Sequence, residues 1–247
     1  MTNDEARDPA AASSSIFVKP LGRKSYGSIG HLPNSRLGPA DHCVNDGQAK
    51  ICTTKARDLH DTVIVQEKLD GSCVAVARIN GILHPLGRAG WPAVSSRYEQ
   101  HRLFDKWVWT HQERFLAVLQ DDERIVGEWI AQAHGTLYKV ENGMEPFAAF
   151  DIMKGESRLP FHAFSERVAS HFKCPRLLHI GAPLSVEAAM KIHGEKHSGC
   201  DEPEGVVYRV ERKGEVDFLA KWVRPDKLDG KYLPEITGEP AVWNWRP

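Results

Sequence analysis

The chain has 247 residues, of which 41% are hydrophobic and 26% charged, values typical of a soluble globular protein with a sizeable core in one large domain or two small ones. Its 32 Lys and Arg residues nearly balance 33 Asp and Glu residues, so net charge points to no partner, although basic residues clustered on one face would still suit nucleic acid. No apolar run approaches membrane-spanning length and no signal-peptide pattern opens the chain, which excludes a membrane protein and predicts a cytoplasmic one.

The first part of the chain shows little hydrophobic periodicity. Residues 1–15 are small, polar and rich in Ala and Ser, which predicts a flexible N-terminal tail. The stretch SYGSIGHLPNSRLGPADH, within 16–55, is dense in Gly, Pro, Ser and Asn. That composition indicates a long ordered loop or a series of turns.

The next part alternates between strand and helix patterns. β-rich runs at 63–67 and 73–79 lie on either side of Lys-Leu-Asp-Gly at 68–71, and Asn-Gly at 80–81 predicts a hairpin turn. From 97 to 119, apolar residues recur at helical spacing and predict an amphipathic helix.

The rest of the chain continues this mixture. Strands are predicted at 124–131, 146–152, 205–212 and 216–222, and helices at 164–172 and 185–193, the last with Ser185 as N-cap. Neighbouring strands in hairpins, with helices occurring singly between them, predict an α+β fold with antiparallel sheets. There is no Rossmann glycine fingerprint and no P-loop. The five cysteines include no C-x-x-C pair and the His residues show no metal-ligand spacing, so we expect neither disulfides nor a zinc site.

The tetrapeptide Lys-Leu-Asp-Gly occurs twice, at 68–71 and at 227–230. Taken alone it predicts a charged turn, because Asp-Gly favours hairpin turns. An apolar strand leads into Lys68, however, and such a strand can hold a lysine partly desolvated at the end of a sheet. Before Lys227 no such strand occurs, so for the second copy we expect a charged turn that leaves the Lys227 amine unburied.

A nucleophilic Lys68 would have to react as the neutral amine. At a reference pKa of about 10.4, only ~0.1% of a lysine is neutral near neutral pH. Burial and nearby cations lower a lysine pKa, whereas the adjacent carboxylates of Glu67 and Asp70 would raise it. A catalytic Lys68 therefore requires a divalent metal ion or basic side chains close by.

Five short motifs follow Lys68 in order, each on a predicted strand or strand end. They are Arg88 in PLGRAGW, Gly127-Glu128 in IVGEWIAQ, Phe150-Asp151 in PFAAFDIM, Glu204-Gly205-Val206-Val207 in EPEGVVYR, and Lys221 in FLAKWVRP. Each motif is weak alone, but together with Lys-x-Asp-Gly they resemble the covalent nucleotidyltransferases, which comprise ATP-dependent DNA ligases, RNA ligases and mRNA capping enzymes. EKLDGS, EGVVYR and AKWVRPD are most similar to the RNA ligase branch, and the resemblance covers about 63–224.

The resemblance implies a fold and a domain organisation. The fold would be an ATP-grasp-like ligase catalytic domain, α+β, with antiparallel sheets flanked by helices. Its adenylyltransferase domain would occupy 16–224, between the tail at 1–15 and a short C-terminal extension at 225–247. The 26 residues from Trp222 onward are too few for the β-barrel (OB) domain of DNA ligases and capping enzymes. We therefore expect no C-terminal OB domain, and a dimer, a protein partner or the N-terminal segment would help to hold the polynucleotide.

The resemblance also implies an activity, that of an ATP-dependent RNA ligase. Lys68, the nucleophile, would attack the α-phosphate of ATP, expel pyrophosphate and keep AMP as a covalent lysyl-AMP. AMP would pass to a 5′-phosphate end, and a 3′-hydroxyl would then attack that end and expel AMP. One or two Mg²⁺ (or Mn²⁺) ions would assist by neutralising charge. The expected partner is RNA with 5′-phosphate and 3′-hydroxyl ends, including a nicked duplex.

The same resemblance assigns nucleotide-binding residues. Besides Lys68 they are Glu67, Asp70, Gly71, Arg88, Glu128, Phe150, Glu204 and Lys221. Lys221 would hold the α-phosphate, and Arg88 would clamp a phosphate of ATP or the 5′-phosphate end. Glu128 would accept hydrogen bonds from the ribose hydroxyls.

The resemblance also implies which residues would contact the base and the metal ion. Phe150 would stack on the adenine, with Phe147 as its rival and an ordinary core position as the alternative for either. Glu204 and Asp70 are the expected metal-facing carboxylates, Asp70 by shaping the turn and contacting the metal's water shell. Glu67 would present its backbone to the base.

The chain departs from the family pattern at two positions. Cys73 stands where many RNA ligases carry Asn, and it is a far weaker hydrogen-bonding partner. The last motif often has two lysines, but here Leu219 leaves Lys221 alone, and Arg224 is the candidate for the missing charge. In the turn-rich loop, we expect Arg36 or His31 to touch nucleic acid beside the active site; a plain surface loop is the alternative.

Three other hypotheses remain open on the sequence. A minimal ATP-dependent DNA ligase would share every motif, although AKWVRPD and the missing barrel count against it. A capping guanylyltransferase would use GTP in place of ATP. A non-catalytic nucleic-acid-binding protein that retains the fold would be favoured by the departures at Cys73 and Leu219.

Overall fold

The computed structural model describes residues 17–139, 145–195 and 201–247. The strands are β1 (Gly30–His31), β2 (Asp61–Lys68), β3 (Ser72–Ile79), β4 (Ile82–Gly87), β5 (Glu123–Trp129), β6 (Phe147–Lys154), β7 (Ser157–Arg158), β8 (Leu177–Gly181), β9 (Gly205–Arg212) and β10 (Glu215–Val223). The helices are α1 (Asp46–Thr53), α2 (Glu99–Thr110), α3 (Gln112–Val118), α4 (Phe161–Val168), α5 (Val186–Glu195) and α6 (Pro234–Thr237), with a 3₁₀ turn at Ala93–Ser95.

The strands form two five-stranded sheets. The first has the order β1-β10-β9-β2-β8 and the second β4-β3-β5-β6-β7. The pairing of β1 with β10 is parallel, and the other strand pairs in the two sheets are antiparallel. The predicted α+β fold with antiparallel sheets is confirmed.

The first Lys-Leu-Asp-Gly is not a hairpin turn. β2 pairs with β8 and β9, whereas β3 pairs with β4 and β5, so the chain crosses from one sheet to the other between Lys68 and Ser72. The hairpin that the sequence predicts at 80–81 does form, between β3 and β4, with Asn80 and Gly81 both at positive φ. The crossing places Lys68 at the end of one sheet and directs it toward the other.

Strand periodicity decides which residues face the helices and which face the space between the sheets. In β9, Val206, Tyr208 and Val210 belong to the core formed with α1 and α5. The alternate residues Val207 and Arg209 line a pocket instead. The second sheet packs one of its faces against α2, α3 and α4. Both sheets therefore bury one face under helices and leave part of the other for the pocket.

The helices differ from the prediction in two places. The helix expected over 97–119 is two helices, α2 and α3, because the backbone leaves helical geometry at His111, whose ring stacks on Trp107 at a centroid distance of 4.3 Å. Helix α1 lies in the region expected to be all turns, and it begins at a capping box made by Asn45 and Gln48. Ser185 accepts a hydrogen bond from the backbone N–H of Ala188, as an N-cap does.

The C-terminal segment, 225–247, is packed onto the domain. Its backbone pairs with the loop after β5 through Ala133 N–H to Val242 O (2.9 Å) and Asn244 N–H to Ala131 O (2.8 Å). Trp243 and Trp245 pack against the large core. No helix in the described ranges has the length and apolarity needed to span a membrane.

Candidate active site

A pocket of about 270 Å³ lies where the ends of the two sheets meet. The structure brings eight of the predicted residues to this pocket. Glu67, Lys68, Gly71, Arg88, Glu128, Phe150 and Lys221 line it, and Glu204 lies at its base, 2.8 Å from the Lys68 amine. The fold thus brings together motifs that are spread over more than half of the chain.

Lys68 ends β2 and projects its amine into a group of carboxylates. Its Nζ lies 2.8 Å from Glu204 Oε2, and Glu128 and Asp70 also contribute negative charge. Burial acts to lower the pKa of Lys68, but these carboxylates, Glu204 first, outweigh it and hold the pKa above the usual lysine value. In this state Lys68 is an ammonium ion, and a further positive charge in the pocket would be needed to lower its pKa.

A second cation is already present, and it comes from the second Lys-Leu-Asp-Gly. The Lys227 amine lies 2.5 Å from Glu204 Oε1 and 3.0 Å from Asp70 Oδ1, and the residue is only 5% exposed. The expectation that nothing buries this amine is wrong. Because its carboxylate partners come from β9 and the first tetrapeptide, Lys227 joins the two copies in one site.

Tertiary packing, not a preceding strand, buries Lys227. The turn after β10 is held by Arg224 N–H to Glu204 O (3.0 Å) and Lys227 N–H to Arg224 O (3.3 Å). The loop after β5 covers it, since a Cβ on Gly135 would lie 2.7 Å from Leu228 O. A count of charges could have predicted the burial of a second lysine. The site contains three carboxylates, Asp70, Glu128 and Glu204, against the single cation of Lys68, so it needs another cation.

Asp70 and Gly71 shape the crossing. Asp70 Oδ2 accepts the backbone N–H of Gly135 at 2.7 Å, and the Asp70 N–H donates to the Tyr138 hydroxyl at 2.9 Å. Burial would raise the pKa of Asp70, but Lys227 and then Lys68 lower it below the ordinary value. A Cβ at Gly71 would lie 2.4 Å from Trp129 O, so only glycine allows the chain to pass β5 this closely.

Glu128 reaches from the second sheet to the crossing. Its Oε1 accepts the Gly71 N–H at 3.0 Å. Burial raises the pKa of Glu128 to about 7, with Lys68 opposing and Glu204 adding to the shift. A carboxyl group near its pKa at neutral pH can accept a hydrogen bond from a hydroxyl group when ionised and donate one to it when protonated.

Of the two candidate stacking residues, Phe147 and Phe150, only Phe150 lines the pocket. Phe147 is fully buried in the core between the second sheet and α2, which removes it as a stacking residue. Phe150 is half-buried, lines the pocket, and makes an edge contact with Tyr26 at a centroid distance of 5.3 Å. Tyr26 in turn donates to the buried Asp151 at 2.8 Å, which fixes the wall behind Phe150.

Arg88 and Lys221 are two of the basic side chains that line the pocket. Arg88 is exposed and donates to Gly27 O at 3.1 Å. Lys221 lies 3.4 Å from Asp41, and its pKa is lowered, first by burial and then by the charge of Lys68. Leu219 lines the pocket beside it as an apolar wall.

Two predictions for single residues require correction. Arg224 does not supply the charge missing at Leu219, because its guanidinium pairs with Glu202 and Asp226. His31 is 1% exposed and lies 3.1 Å from Asp41, so it offers no surface to nucleic acid.

Two other predictions concern Arg36 and Glu67. Arg36 is half-buried and paired with Asp229 at 3.0 Å, within the second tetrapeptide. The Glu67 carboxylate accepts the Arg176 N–H at 2.8 Å, which is consistent with a carboxylate that is not offered to the base. The turn-rich loop does lie beside the site, where Tyr26, Gly27 and Ile29 line the pocket.

The carboxylates suit an open Mg²⁺ or Mn²⁺ site. Within the described ranges, no three His, Cys, Asp or Glu side chains are arranged to hold a metal ion by themselves. Hard divalent cations in nucleotide enzymes commonly take one or two carboxylates and complete their shell with phosphate oxygens and water. Glu204 and Asp70, bridged by Lys227, provide that number of carboxylates.

Comparison with known proteins places the chain in a family. The family model for RNA ligase matches residues 61–223, and no curated protein sequence matches. Among solved structures, the chain is similar to a Naegleria gruberi RNA ligase with PPi (15% identity, TM-score 0.53, 96% of this chain and 65% of that one). A variant of that ligase with AMP and Mn (14%, 0.50, 81% and 60%) and an archaeal ATP-dependent RNA ligase (19%, 0.47, 80% and 48%) are also similar.

At these identities the likeness concerns the fold, which is that of the nucleotidyltransferase ligases. The chain covers between about half and two thirds of the length of these proteins. The RNA ligase match runs from the first residue of β2 to the last residue of β10, and so includes both sheets of the site. The chain belongs to the RNA ligase family.

Proposed function

We propose that the protein is an ATP-dependent RNA ligase that joins a 5′-phosphate end to a 3′-hydroxyl through a lysyl-AMP on Lys68. One observation carries the proposal: the Lys68 amine projects into a pocket that also contains Phe150, Glu128, Arg88 and Lys221. These side chains offer an aromatic face, a hydroxyl partner and two phosphate-binding cations around a single nucleophile.

In the first step, Lys68 loses a proton and its nitrogen attacks the α-phosphorus of ATP. The new P–N bond forms as the bond to the β-phosphate oxygen breaks, and pyrophosphate leaves with that electron pair. Glu204, 2.8 Å away, is within reach of the departing ammonium proton. A bound divalent cation would supply the additional positive charge that the Lys68 amine needs.

In the later steps, the 5′-phosphate displaces Lys68 and takes the AMP, and the 3′-hydroxyl then displaces AMP. All three are displacements at phosphorus, so the contribution of the protein is positioning and charge neutralisation. Arg88 and Lys221 serve that role, because both lie on the pocket and carry the cations best placed for phosphate oxygens.

The proposal is tested by incubating the protein with α-labelled ATP and Mg²⁺ or Mn²⁺ and separating it under denaturing conditions. We expect a labelled band with ATP and a much weaker one with GTP. Absence of any band would leave the non-catalytic alternative, and a stronger band with GTP would favour a capping enzyme.

Sealing assays separate the RNA ligase from the DNA ligase alternative. Nicked duplexes and single strands with an RNA or a DNA 3′-hydroxyl end differ at the 2′-hydroxyl beside the junction. We expect faster sealing of the RNA ends. Equal sealing of DNA ends would overturn the RNA assignment while leaving the lysyl-AMP chemistry intact.

Phe150→Ala should weaken ATP binding more than it slows the chemical step. Base–aromatic stacking contributes roughly 1–3 kcal/mol, so we expect the KM for ATP in lysyl-AMP formation to rise about tenfold. Phe150→Tyr keeps the ring and should stay near the wild-type KM. An unchanged KM in Phe150→Ala would show that the ring does not contact the base.

A further inference from the structure

A second cavity, of about 680 Å³, adjoins the nucleotide pocket beyond Arg88. It lies between the turn that follows β4, the 3₁₀ turn at Ala93–Ser95 and the start of α2. Cys73 and Arg88 line both cavities, so the two lie next to each other at these side chains. We call this second cavity the Trp91 groove, after the aromatic residue at its edge.

The lining of the Trp91 groove combines aromatic rings with cations. Trp91 is 46% exposed, and the Lys19 amine lies 5.0 Å from its ring centroid. Tyr98 also lines the groove, and the guanidinium of Arg97 lies 4.7 Å from its ring centroid. Each of the two rings therefore lies beside a cation.

The charge of the groove suits an anion. Among the described residues that line it, none is Asp or Glu, whereas Arg88 is part of the lining and Lys19 and Arg97 stand over its rings. Two acidic residues lie near its edge: Glu99 is paired with Arg246 at 3.0 Å, and Glu235 interacts electrostatically with Arg97. Phosphate groups are therefore attracted here without opposition from an unpaired carboxylate in the lining.

The Trp91 backbone is held rigidly. The Gly87 N–H donates to Trp91 O at 2.9 Å, and the Gly90 N–H donates to Gly87 O at 2.8 Å. Gly90 has φ +87°, and a Cβ there would lie 2.0 Å from Arg23 O, so the turn is locked against the N-terminal loop. A ring on a fixed backbone loses little conformational entropy when a base stacks on it.

We infer that the Trp91 groove binds single-stranded RNA leading to the 5′-phosphate end, with a base stacked on Trp91 and phosphates contacted by Lys19 and Arg97. Aromatic platforms interleaved with cations are the common means of holding single strands without reading their sequence. Because Arg88 lines both cavities, the terminal phosphate of such a strand would lie beside the nucleotide pocket. This inference rests on the proposed function, since it supplies the polynucleotide for the second step.

The test is fluorescence anisotropy, without ATP, on a 5′-phosphorylated, 3′-labelled single-stranded RNA of about 12 nucleotides. We expect Trp91→Ala to weaken binding about tenfold and Trp91→Phe to keep most of the affinity, because stacking on a ring contributes roughly 1–3 kcal/mol per base. Lys19→Ala should reduce the slope of log affinity against log salt by about 0.7, the loss of one phosphate contact with a single strand.

The matched control is Trp109→Ala. Trp109 is 44% exposed on α2, outside the groove lining, and its removal should leave affinity unchanged. Wild-type affinity in Trp91→Ala, or equal losses in Trp91→Ala and Trp109→Ala, would each overturn the inference. Self-labelling with ATP needs no RNA, so a chain that labels normally but binds RNA independently of Trp91 refutes the groove and not the proposed function.

Discussion

Lys68→Ala is expected to abolish formation of the labelled protein band with α-labelled ATP. The variant lacks the nitrogen that would carry AMP, and no other amine replaces it: Lys227 is held between Glu204 and Asp70, and Lys221 lies against Asp41. The variant should fold, because Glu204 keeps Lys227 as a partner when Lys68 is removed. Thermal unfolding monitored by tryptophan fluorescence checks that the loss is chemical.

Two controls make this result specific. Lys68→Arg retains the positive charge beside Glu204 but not a nucleophilic amine, so it should fold like the wild type and remain unlabelled. Lys231→Ala removes a surface lysine paired with Asp201 and should label normally. A labelled band in Lys68→Ala would disprove the covalent mechanism proposed for this residue.

Lys227→Met should destabilise the domain and slow lysyl-AMP formation together. The substitution preserves the length of the side chain but leaves Asp70 and Glu204 buried with one counter-ion fewer. Removing one partner of a buried ion pair costs about 3–5 kcal/mol, a large part of the 5–15 kcal/mol that stabilises an ordinary domain. With Glu204 displaced, we expect the single-turnover labelling rate to fall at least about tenfold, since one misplaced carboxylate disturbs the reacting geometry.

Two control variants lie in the same C-terminal segment as Lys227. Lys227→Arg retains the charge and should recover part of the stability and of the labelling rate. Lys231→Met removes a half-exposed ion pair and should change the free energy of unfolding by less than about 1 kcal/mol. Urea denaturation and single-turnover labelling measure the two effects. A Lys227→Met variant with wild-type stability and labelling rate would show that Lys227 contributes to neither.

The motifs along the chain were sufficient to predict the fold class, and they named residues that the structure brings to one pocket. Strand periodicity placed β2, β3, β5, β6, β9 and β10, and the motif residues lie on or beside the strands that border this pocket. Local patterns also located the hairpin at 80–81 and the N-cap at Ser185. The order of those motifs predicted the RNA ligase family and the nucleotidyltransferase fold.

What the sequence did not reveal depends on tertiary contacts. No local pattern shows that the tetrapeptide at 68–71 crosses between sheets, because a strand-turn-strand sequence fits a hairpin equally well. The burial of Lys227 requires the turn after β10 and the loop after β5 to meet. The choice between Phe147 and Phe150 depends on which face each strand residue occupies, and an irregularity in the pairing of β5 with β6 shifts that register.

The position of Lys227 has a consequence for how the protein is made. A chain leaves the ribosome from its N-terminus, so Lys68, Asp70, Glu128 and Glu204 are all exposed to solvent before Lys227 emerges. Until then the half-built site has three carboxylates around a single ammonium ion, and its negative charge opposes closure of the two sheets. Lys227 is synthesised after all four of these residues and brings the neutralising charge, so the site assembles only after the turn that follows β10 has been made.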